Sequence, residues 1–377
     1  MTLEYIDTRP GAEALVEELS REPSLALDCE AAGFHRYSDR LCLVQISTPA
    51  GRDVILDPLQ VDLGELLRPL LEDSGRTLYM HGGDYDLRLL DRDLGIHPRG
   101  VFDTQVAASL LGVRGLGLAA LLEAHFQVRL SKKYQRADWA ARPLEAGMLE
   151  YAAADTRHLH PLADILWARL REAGRESWAE EEFRLLEEIR WNAEEPDDPV
   201  VRVKGARKLS PRAVHRLREA LAWRDAIARA DDRAPFRIAG DGALMEMATS
   251  PPATTRDLGR VKGINPRVAR AHGDDLVDRL AGVDALEERE LVGYPRQEFR
   301  GPGRPPPEVE EVAERLKRER NAVAEALGLD RGVVLSNAMV LEVARREPTS
   351  LEELRSVEGV RDWQAELLAD RLLAVLA

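Results

Sequence analysis

Short apolar runs alternate with amphipathic segments over roughly residues 1–175 of the chain. Runs rich in aliphatic and β-branched residues predict five strands. These predicted strands cover residues 3–6, 25–30, 41–47, 53–56 and 77–81. Apolar residues spaced three and four apart predict the helices of this region, which begin at Gly11, Asp84, Asp103, Gly117 and Arg142. This part of the chain is therefore expected to form a mixed α/β domain.

Three of the predicted strands follow one another closely between residues 25 and 56. The connections between them are too short for the crossovers that parallel neighbours need. We therefore expect an antiparallel meander inside a larger mixed sheet.

A long helical segment closes the first domain. It ends in an acidic stretch over residues 180–195, and Pro196 and Pro199 then interrupt it. The first domain is predicted to cover residues 1–203.

The remainder of the chain shows helical periodicity and repeats itself. An offset of 96 places residues 244–248 (LMEMA) on 340–344 (VLEVA), and it also places Gly263 on Gly359. Matching apolar and glycine positions at one offset indicate two copies of one unit. We predict two small all-α helical bundles, one at 204–282 and one at 308–377. The segment between them, 283–307, contains five prolines and is predicted to be a semi-rigid spacer.

The distribution of charge between segments is more informative than the net charge of the chain. The 377 residues carry 53 Lys plus Arg and 67 Asp plus Glu, a net charge of −14 that argues against a polyanionic partner. Residues 1–203 carry 23 basic and 37 acidic side chains, whereas residues 204–280 carry 16 and 10. The first helical unit is thus the basic part of the chain.

Composition also excludes several protein classes. The first residues lack the features of a secretory signal, and no apolar stretch of 18 residues occurs. Two cysteines, Cys29 and Cys42, are too few for a disulfide framework, and we expect both to be reduced core residues. A cytoplasmic protein without membrane contact is predicted.

Carboxylates at alternate positions end the second predicted strand. Asp28 and Glu30 project from one face, about 7 Å apart along the strand, while the residue between them faces the other way. Two such carboxylates repel each other unless a cation lies between them, and a divalent metal ion would serve. The pattern alone is weak, because acidic residues are abundant in this chain.

Two further motifs carry acidic residues. A strand end at His81 leads through two glycines into a helix, where Asp84 is predicted to be the N-cap. Asp86 is left either to offset the helix dipole or to act in a functional site. Tyr151 and Asp155 lie four residues apart on a later helix and so share one face. Asp103 is predicted to cap its own helix.

Taken in order, these motifs resemble the DEDD superfamily of 3′→5′ exonucleases, in the subclass with tyrosine in the third motif. The stretch 132–139 (KKYQRADW), followed by Arg142-Pro143-Leu144 and by 151–155 (YAAAD), is similar to the ribonuclease D family. One departure is Met148, where the family often has glutamine. The resemblance implies a ribonuclease-H-like domain, a mixed sheet flanked by helices, followed by two helicase-and-RNase-D C-terminal domains.

The resemblance also implies a set of site residues. Asp28, Glu30, Asp86 and Asp155 would hold two Mg²⁺ or Mn²⁺ ions, and Tyr151 would position the attacking water. Hard divalent cations take oxygen ligands, which four carboxylates supply. With an ordinary pKa of about 10, a tyrosine is a poor general base at neutral pH, so orientation of the water is the role expected of it.

The predicted function is that of a metal-dependent 3′→5′ exoribonuclease that releases nucleoside 5′-monophosphates and trims the 3′ ends of tRNA precursors and other structured RNA. One alternative is a DNA exonuclease of the same superfamily, because nothing in these motifs recognises a 2′-hydroxyl. A second alternative is an inactive nucleic-acid-binding adaptor. The complete set of four carboxylates and one tyrosine argues against the adaptor.

Basic residues in two places are candidates for RNA contact. Near the predicted site these are His81, Lys132, Lys133, Arg136 and Arg142. In the first helical unit they surround Gly263, where a turn leads into a helix N-terminus that favours phosphate. This second group is Arg256, Arg260, Lys262, Arg267 and Arg270.

The second helical unit lacks much of this charge. At the 96-residue offset it has Glu352, Ser356 and Glu358 in place of three of those basic residues. We expect it to bind nucleic acid poorly and to pack instead against the first domain or against a protein partner that the sequence does not identify.

Overall fold

The computed structural model describes residues 2–192, 198–295 and 305–377. A six-stranded sheet organises the first domain, in the order β1-β4-β3-β2-β5-β6. Its strands are β1 Thr2–Ile6, β2 Ser24–Ala31, β3 Leu41–Ser47, β4 Arg52–Leu56, β5 Thr77–Met80 and β6 Val101–Asp103. Strand β3 pairs antiparallel with both β2 and β4, while the other pairs are parallel. The predicted meander within a mixed sheet is confirmed.

Eight helices accompany this sheet in the described part of the domain. They are α1 Arg9–Leu19, α2 Gly64–Leu71, α3 Asp84–Leu94, α4 Thr104–Leu110, α5 Leu118–Phe126, α6 Ala146–Thr156, α7 Leu159–Glu172 and α8 Glu176–Glu187. The predicted long helix is divided into α6, α7 and α8, with one break after Thr156 and a second at Gly174, which adopts a left-handed conformation with φ +65°. Helix α2, which contains Pro69, and strand β6, which is only three residues long, were not predicted.

The two faces of the sheet bury different partners. Val44 and Ile46 of β3 pack in the core that includes residues of α1, α2 and α3. Leu43, on the opposite face, packs with Ala152 and Ala153 of α6. Glu30 pairs in register with Leu43, so the carboxylates of β2 share the face that α6 covers.

One predicted helix begins later than its sequence suggested. Helix α6 starts at Ala146, not at Arg142. The Arg142 guanidinium is instead engaged upstream of the helix, donating to both oxygens of Asp57 and to the Trp139 carbonyl.

The remaining helices form the two predicted units. The first contains α9 Pro211–Ala230, α10 Asp241–Thr249, α11 Thr255–Leu258 and α12 Pro266–Asp284. The second contains α13 Pro307–Leu327, α14 Arg331–Val334, α15 Asn337–Arg346, α16 Leu351–Arg355 and α17 Asp362–Leu376. The first residues of α9, α10, α11 and α12 each lie 96 positions before those of α13, α15, α16 and α17. Gly263 and Gly359 also share a positive φ, so the repeat extends to backbone conformation.

The predicted spacer at 283–307 begins later than expected. Arg212 donates to the carbonyls of Val283 and Leu286, and Arg218 donates to that of Gly293. These bonds hold the chain after α12 against α9, within the first unit. Residues 296–304 of the spacer, like the interruption at 193–197, lie outside the described residues.

The second unit packs against the first domain, as its charge suggested. Trp363 is buried and stacks on Trp178, with ring centroids 4.5 Å apart. Its indole nitrogen donates to Glu182, and the backbone N–H groups of Asp362 and Trp363 donate to Glu181. A carboxylate at a helix N-terminus is electrostatically favourable.

Within the described ranges, no helix combines the length and apolar character that crossing a membrane requires. Cys29 and Cys42 are buried free thiols, as predicted.

Candidate active site

A cluster of carboxylates lies where β2 meets α6. Asp28, Glu30 and Asp155 each offer one oxygen, and these three oxygens lie within 4.8 Å of one another. Asp86, in the first turn of α3, is close enough for its charge to raise the pKa values of both Asp28 and Glu30. The structure thus brings together the four carboxylates that the sequence singled out.

The electrostatics of this cluster favour a bound cation. Burial is the largest cause of raised pKa values for all four groups, and repulsion from neighbouring carboxylates adds to it for Asp28, Glu30 and Asp86. The pKa is raised to about 7 for Asp86 and to about 6 for Asp155. Among the residues that the structure describes, no Lys, Arg or His forms an ion pair with any of the four. Bound cations would relieve the repulsion.

A turn between β5 and α3 positions Asp86. Gly82 adopts φ +65°, and Gly83, not Asp84, is the N-cap of α3. Asp84 is the first helical residue and pairs with Arg88 one turn later at 3.1 Å, so the predicted cap was wrong by one residue. The cap leaves Asp86 in the first helical turn, only 8% exposed.

Asp103, at the end of the neighbouring strand β6, stabilises this turn by hydrogen bonding. Its carboxylate accepts from the N–H of Gly83 at 2.8 Å and from those of Gln105 and Val106 at the start of α4. Asp103 therefore caps its helix, as predicted, and also holds the glycine turn.

Tyr151 lies one helical turn before Asp155 on α6. Its ring packs beside Trp139 and Tyr134, with centroids 6.0 and 6.3 Å away. Burial, together with the charges of Asp155, Glu30 and Asp28, raises the pKa of Tyr151 above its ordinary value. The raised pKa favours the protonated phenol at neutral pH, which can donate a hydrogen bond.

Two polar side chains near the cluster are shielded from water, Gln45 fully and His81 partly. Gln45, which pairs in register with Asp28, is fully buried, and its side-chain amide has no partner among the described residues. His81 lies with Nδ1 2.9 Å from the Thr104 hydroxyl, which donates in turn to the Met80 carbonyl. Burial lowers the pKa of His81, which favours a neutral, structural histidine over the predicted phosphate contact.

The predicted basic cluster before α6 divides into separate roles. Arg142 directs its guanidinium into the protein, towards Asp57, so the structure contradicts its assignment as a substrate contact. Lys132 is exposed, and Lys133 reaches the Tyr134 hydroxyl at 2.8 Å. Arg136 lies over the ring of Phe34, 5.4 Å from its centroid.

Two open cavities border the carboxylates. One, of about 410 Å³, is lined by Glu30, Phe34 and Arg136. The other, of about 330 Å³, is lined by Tyr151 and Asp155. The arrangement leaves room for a chain-like substrate to reach the carboxylates.

The loop after β2 has a role that our sequence analysis did not find. Arg36 pairs with Asp138 at 2.8 Å within the first domain and with Asp232 of the first helical unit at 3.4 Å. The Tyr37 hydroxyl donates to Asp225 at 2.8 Å. The loop that begins just after Glu30 thus joins the site to the first unit. Four consecutive aromatic or basic residues, 34–37, were the available signal.

The basic residues around Gly263 lie on the surface of the first unit, where Arg260 pairs with Asp257 at 3.3 Å. Arg256, Arg260, Lys262, Arg267 and Arg270 are all exposed. Asn265 caps α12 by accepting from the N–H of Arg267 at 3.0 Å. The residue of the second unit that corresponds to Arg267 is Trp363, which is buried against the first domain.

Family comparisons agree with this division of the chain. A family model described as 3′-5′ exonuclease matches residues 3–171. The HRDC domain model matches twice, over residues 214–280 and 309–376.

Relatives match over nearly the full length of the chain. Ribonuclease D of Cronobacter turicensis is 30% identical over 98% of this chain and 99% of its own. Among solved structures, Escherichia coli RNase D, described as an exoribonuclease involved in structured RNA processing, has a TM-score of 0.68 and 26% identity, covering 100% of this chain and 99% of that chain. A protein from Bifidobacterium adolescentis has a TM-score of 0.81 and 26% identity, covering 99% and 96%.

Fold, carboxylate cluster and family matches together define a 3′→5′ exonuclease domain followed by two HRDC domains. The enzyme is a 3′→5′ exoribonuclease. The chain belongs to the ribonuclease D family.

Proposed function

We propose that this enzyme trims the 3′ ends of structured RNA, tRNA precursors among them, and releases nucleoside 5′-monophosphates with the help of two divalent cations. Asp28, Glu30, Asp86 and Asp155 would hold Mg²⁺ or Mn²⁺. The observation that carries the proposal is the cluster of partly buried carboxylates with no cationic side chain paired to them in the described residues.

The donor set fits hard cations. Every candidate ligand is a carboxylate oxygen, which is the donor that Mg²⁺ and Mn²⁺ prefer. When bound, such ions supply an activated water and relieve the charge on the leaving 3′-oxygen.

Tyr151 would orient the water by hydrogen bonding. The charges of Asp28, Glu30 and Asp155 all act on its phenol, and its raised pKa keeps the proton in place. It therefore positions a reacting molecule without removing a proton from it.

The first helical unit would hold the body of the RNA. Arg256, Arg260, Lys262, Arg267 and Arg270 surround Gly263 and the N-terminus of α12. The second unit supports this role by comparison, because the equivalent helix N-terminus there binds the carboxylate of Glu181. An exposed helix N-terminus of the same kind, surrounded by arginines, suits a phosphate.

Structured RNA is the substrate class that the Escherichia coli relative suggests, since that protein is described as involved in structured RNA processing. A tRNA precursor combines a folded body with a single-stranded 3′ end. The basic unit and the carboxylate site would engage these two parts separately.

Digestion of end-labelled RNA tests the proposal. RNA labelled at its 5′ end should shorten progressively in Mg²⁺, whereas RNA labelled at its 3′ end should release labelled nucleoside 5′-monophosphate at once. Neither should react in EDTA. Internal cuts, or the opposite order of release, would contradict the proposal. A DNA oligomer of the same sequence serves as the comparison substrate.

A further inference from the structure

An exposed aromatic cluster lies where the first domain meets the first helical unit. We call it the junction cluster, and it comprises Phe34, His35, Arg136, Phe236 and Arg237. Phe34 is 39% exposed and Phe236 is 49% exposed, although their ring centroids lie only 5.3 Å apart. Phe34 follows β2 in the first domain, whereas Phe236 precedes α10 in the first unit. Two large apolar rings are thus left facing water at a domain boundary.

Arginines flank the central ring of this cluster. The guanidinium of Arg136 lies 5.4 Å from the centroid of Phe34, and that of Arg237 lies 5.3 Å from it. Within the described ranges, neither arginine has a carboxylate partner. Their charges are therefore available to a ligand.

Other arginines at the same boundary differ in this respect. Arg36 pairs with Asp138 and Asp232, and Arg229 pairs with Asp225. Of these pairs, Arg36–Asp232 crosses the boundary, whereas Arg36–Asp138 lies within the first domain and Arg229–Asp225 within α9. The free charge is concentrated around the two exposed rings.

The junction cluster is continuous with the carboxylate site. Phe34 and Arg136 line the cavity of about 410 Å³ that also has Glu30 in its wall. Only three residues separate Glu30 from Phe34 along the chain. A strand whose end occupies the carboxylates would extend through this cavity towards the rings and then towards the basic face of the first unit.

We propose that the junction cluster is a stacking subsite for the unpaired nucleotides on the 5′ side of the scissile linkage, with bases packed on Phe34 and Phe236 and phosphates beside Arg136 and Arg237. This inference rests on the proposed function, because it needs the 3′ end of a single strand at the carboxylates. Aromatic rings stack on any base, and neighbouring cations follow the backbone, a combination typical of sites that grip single strands without regard to sequence.

The subsite has a mechanical consequence. Its two rings belong to different domains, so an unpaired strand would bind across the junction. Only substrates with several unpaired nucleotides at the 3′ end can occupy both the carboxylate site and the junction cluster. Trimming should therefore slow as the unpaired 3′ end becomes too short to reach the rings.

Steady-state kinetics on a hexanucleotide and a dinucleotide test the subsite. Phe34→Ala and Phe236→Ala should each lower the ratio of kcat/KM for the hexanucleotide to that for the dinucleotide by about tenfold, mainly through KM, which is the size expected for one lost base stack. Phe34→Leu should behave like Phe34→Ala, while Phe34→Trp should keep the ratio. If Phe34→Leu kept it, the ring would serve packing and the proposal would fall.

Tyr37→Phe is the matched control. It removes the hydrogen bond to Asp225 at the same junction but leaves the rings and both free arginines in place. It should preserve the substrate ratio. A loss equal to that of Phe34→Ala would assign the effect to domain docking and overturn the subsite.

A binding measurement separates this inference from the proposed function. In EDTA, an oligonucleotide with 2-aminopurine three positions from its 3′ end should lose fluorescence on binding, because stacking quenches it, and Phe34→Ala should abolish that loss. Arg136→Ala with Arg237→Ala should flatten the salt dependence of binding. Quenching without any hydrolysis in Mg²⁺ would contradict the proposed function but would still support the stacking subsite. Hydrolysis with unquenched fluorescence would contradict the stacking subsite and leave the proposed function supported.

Discussion

At the scale of single residues, the active site is a set of titratable groups whose pKa values are raised, chiefly by burial and, for most of them, also by neighbouring carboxylates. The spacing of Asp28 with Glu30 and of Tyr151 with Asp155 could be recognised from sequence, because strand and helix periodicities fix which side chains share a face. The ion pair that Arg142 forms could not be recognised from sequence. Its partner Asp57 lies 85 residues away, and only the folded chain brings the pair together.

Stability in the absence of metal should depend on the charge of Asp86. Its pKa is raised from 3.8 to about 7, so the folded protein binds more protons than the unfolded chain between these values and loses stability as the pH rises through them. In EDTA, Asp86→Asn should therefore gain about 2–4 kcal/mol in free energy of unfolding relative to wild type between pH 4 and pH 8. Urea unfolding at both pH values measures this.

The comparison with Asp86→Asn is needed because other carboxylates act in the opposite sense. The pKa of Asp57, for example, is lowered by its bonds to Arg142 and Tyr5, so it stabilises the fold at higher pH in both proteins. A constant difference between wild type and variant across the pH range would contradict the repulsion described for the cluster.

Asp155→Asn should abolish hydrolysis while leaving RNA affinity within about threefold of wild type in EDTA. The substitution keeps the shape of the side chain but removes a charge that cation binding requires. Single-turnover assays and filter binding measure the two properties. Appreciable cutting in excess Mn²⁺ would show that Asp155 is dispensable as a ligand.

Tyr151→Phe should slow turnover by about 100-fold without changing cation affinity, because it removes one hydroxyl that orients the water and no ligand. The comparison is single-turnover rate against calorimetric titration with Mn²⁺. A matching loss of cation affinity would instead assign the tyrosine to the metal site.

At the scale of elements, the close packing of α6 against the sheet brings Asp155 to the carboxylates of β2. Ala152 and Ala153 of α6 are fully buried where the helix faces the sheet, in the core that includes Leu43 and Ile55. The three consecutive alanines at 152–154 are the sequence feature that permits this close approach. The start of α6 was not predictable in the same way, since the tertiary bonds of Arg142 hold the preceding segment out of the helix.

Ala153→Leu should separate α6 from the sheet. Overpacking of this kind costs about 1–3 kcal/mol and would move Asp155 away from Asp28 and Glu30. We expect a lower melting temperature and a loss of turnover larger than the loss of stability explains. Ala146→Leu, at an exposed position of the same helix, is the control and should stay within about 0.5 kcal/mol of wild type. Equal effects at the two positions would indicate a general intolerance of the helix.

At the scale of the whole molecule, the same helical unit occurs twice in different surroundings. The 96-residue repeat was visible in sequence, because apolar and glycine positions are fixed by the packing of each unit. The net charge of −14 obscured the difference between the copies, and counting by segment recovered it. What sequence did not show is that position 267 of the first unit and position 363 of the second face different surroundings, an exposed arginine in one and a buried tryptophan in the other.

Substitutions at these matched positions should separate docking from RNA binding. Trp363→Ala removes the stack on Trp178 and the bond to Glu182, and a buried tryptophan of this kind contributes about 3–5 kcal/mol. The second unit should then detach, with a separate melting transition and faster proteolysis after α12, while RNA affinity changes little. Arg267→Ala should leave melting unchanged, weaken RNA binding and reduce its salt slope by about 1. The converse pattern, with RNA binding lost only in Trp363→Ala, would mean that the second unit carries the RNA and that the basic face of the first does not.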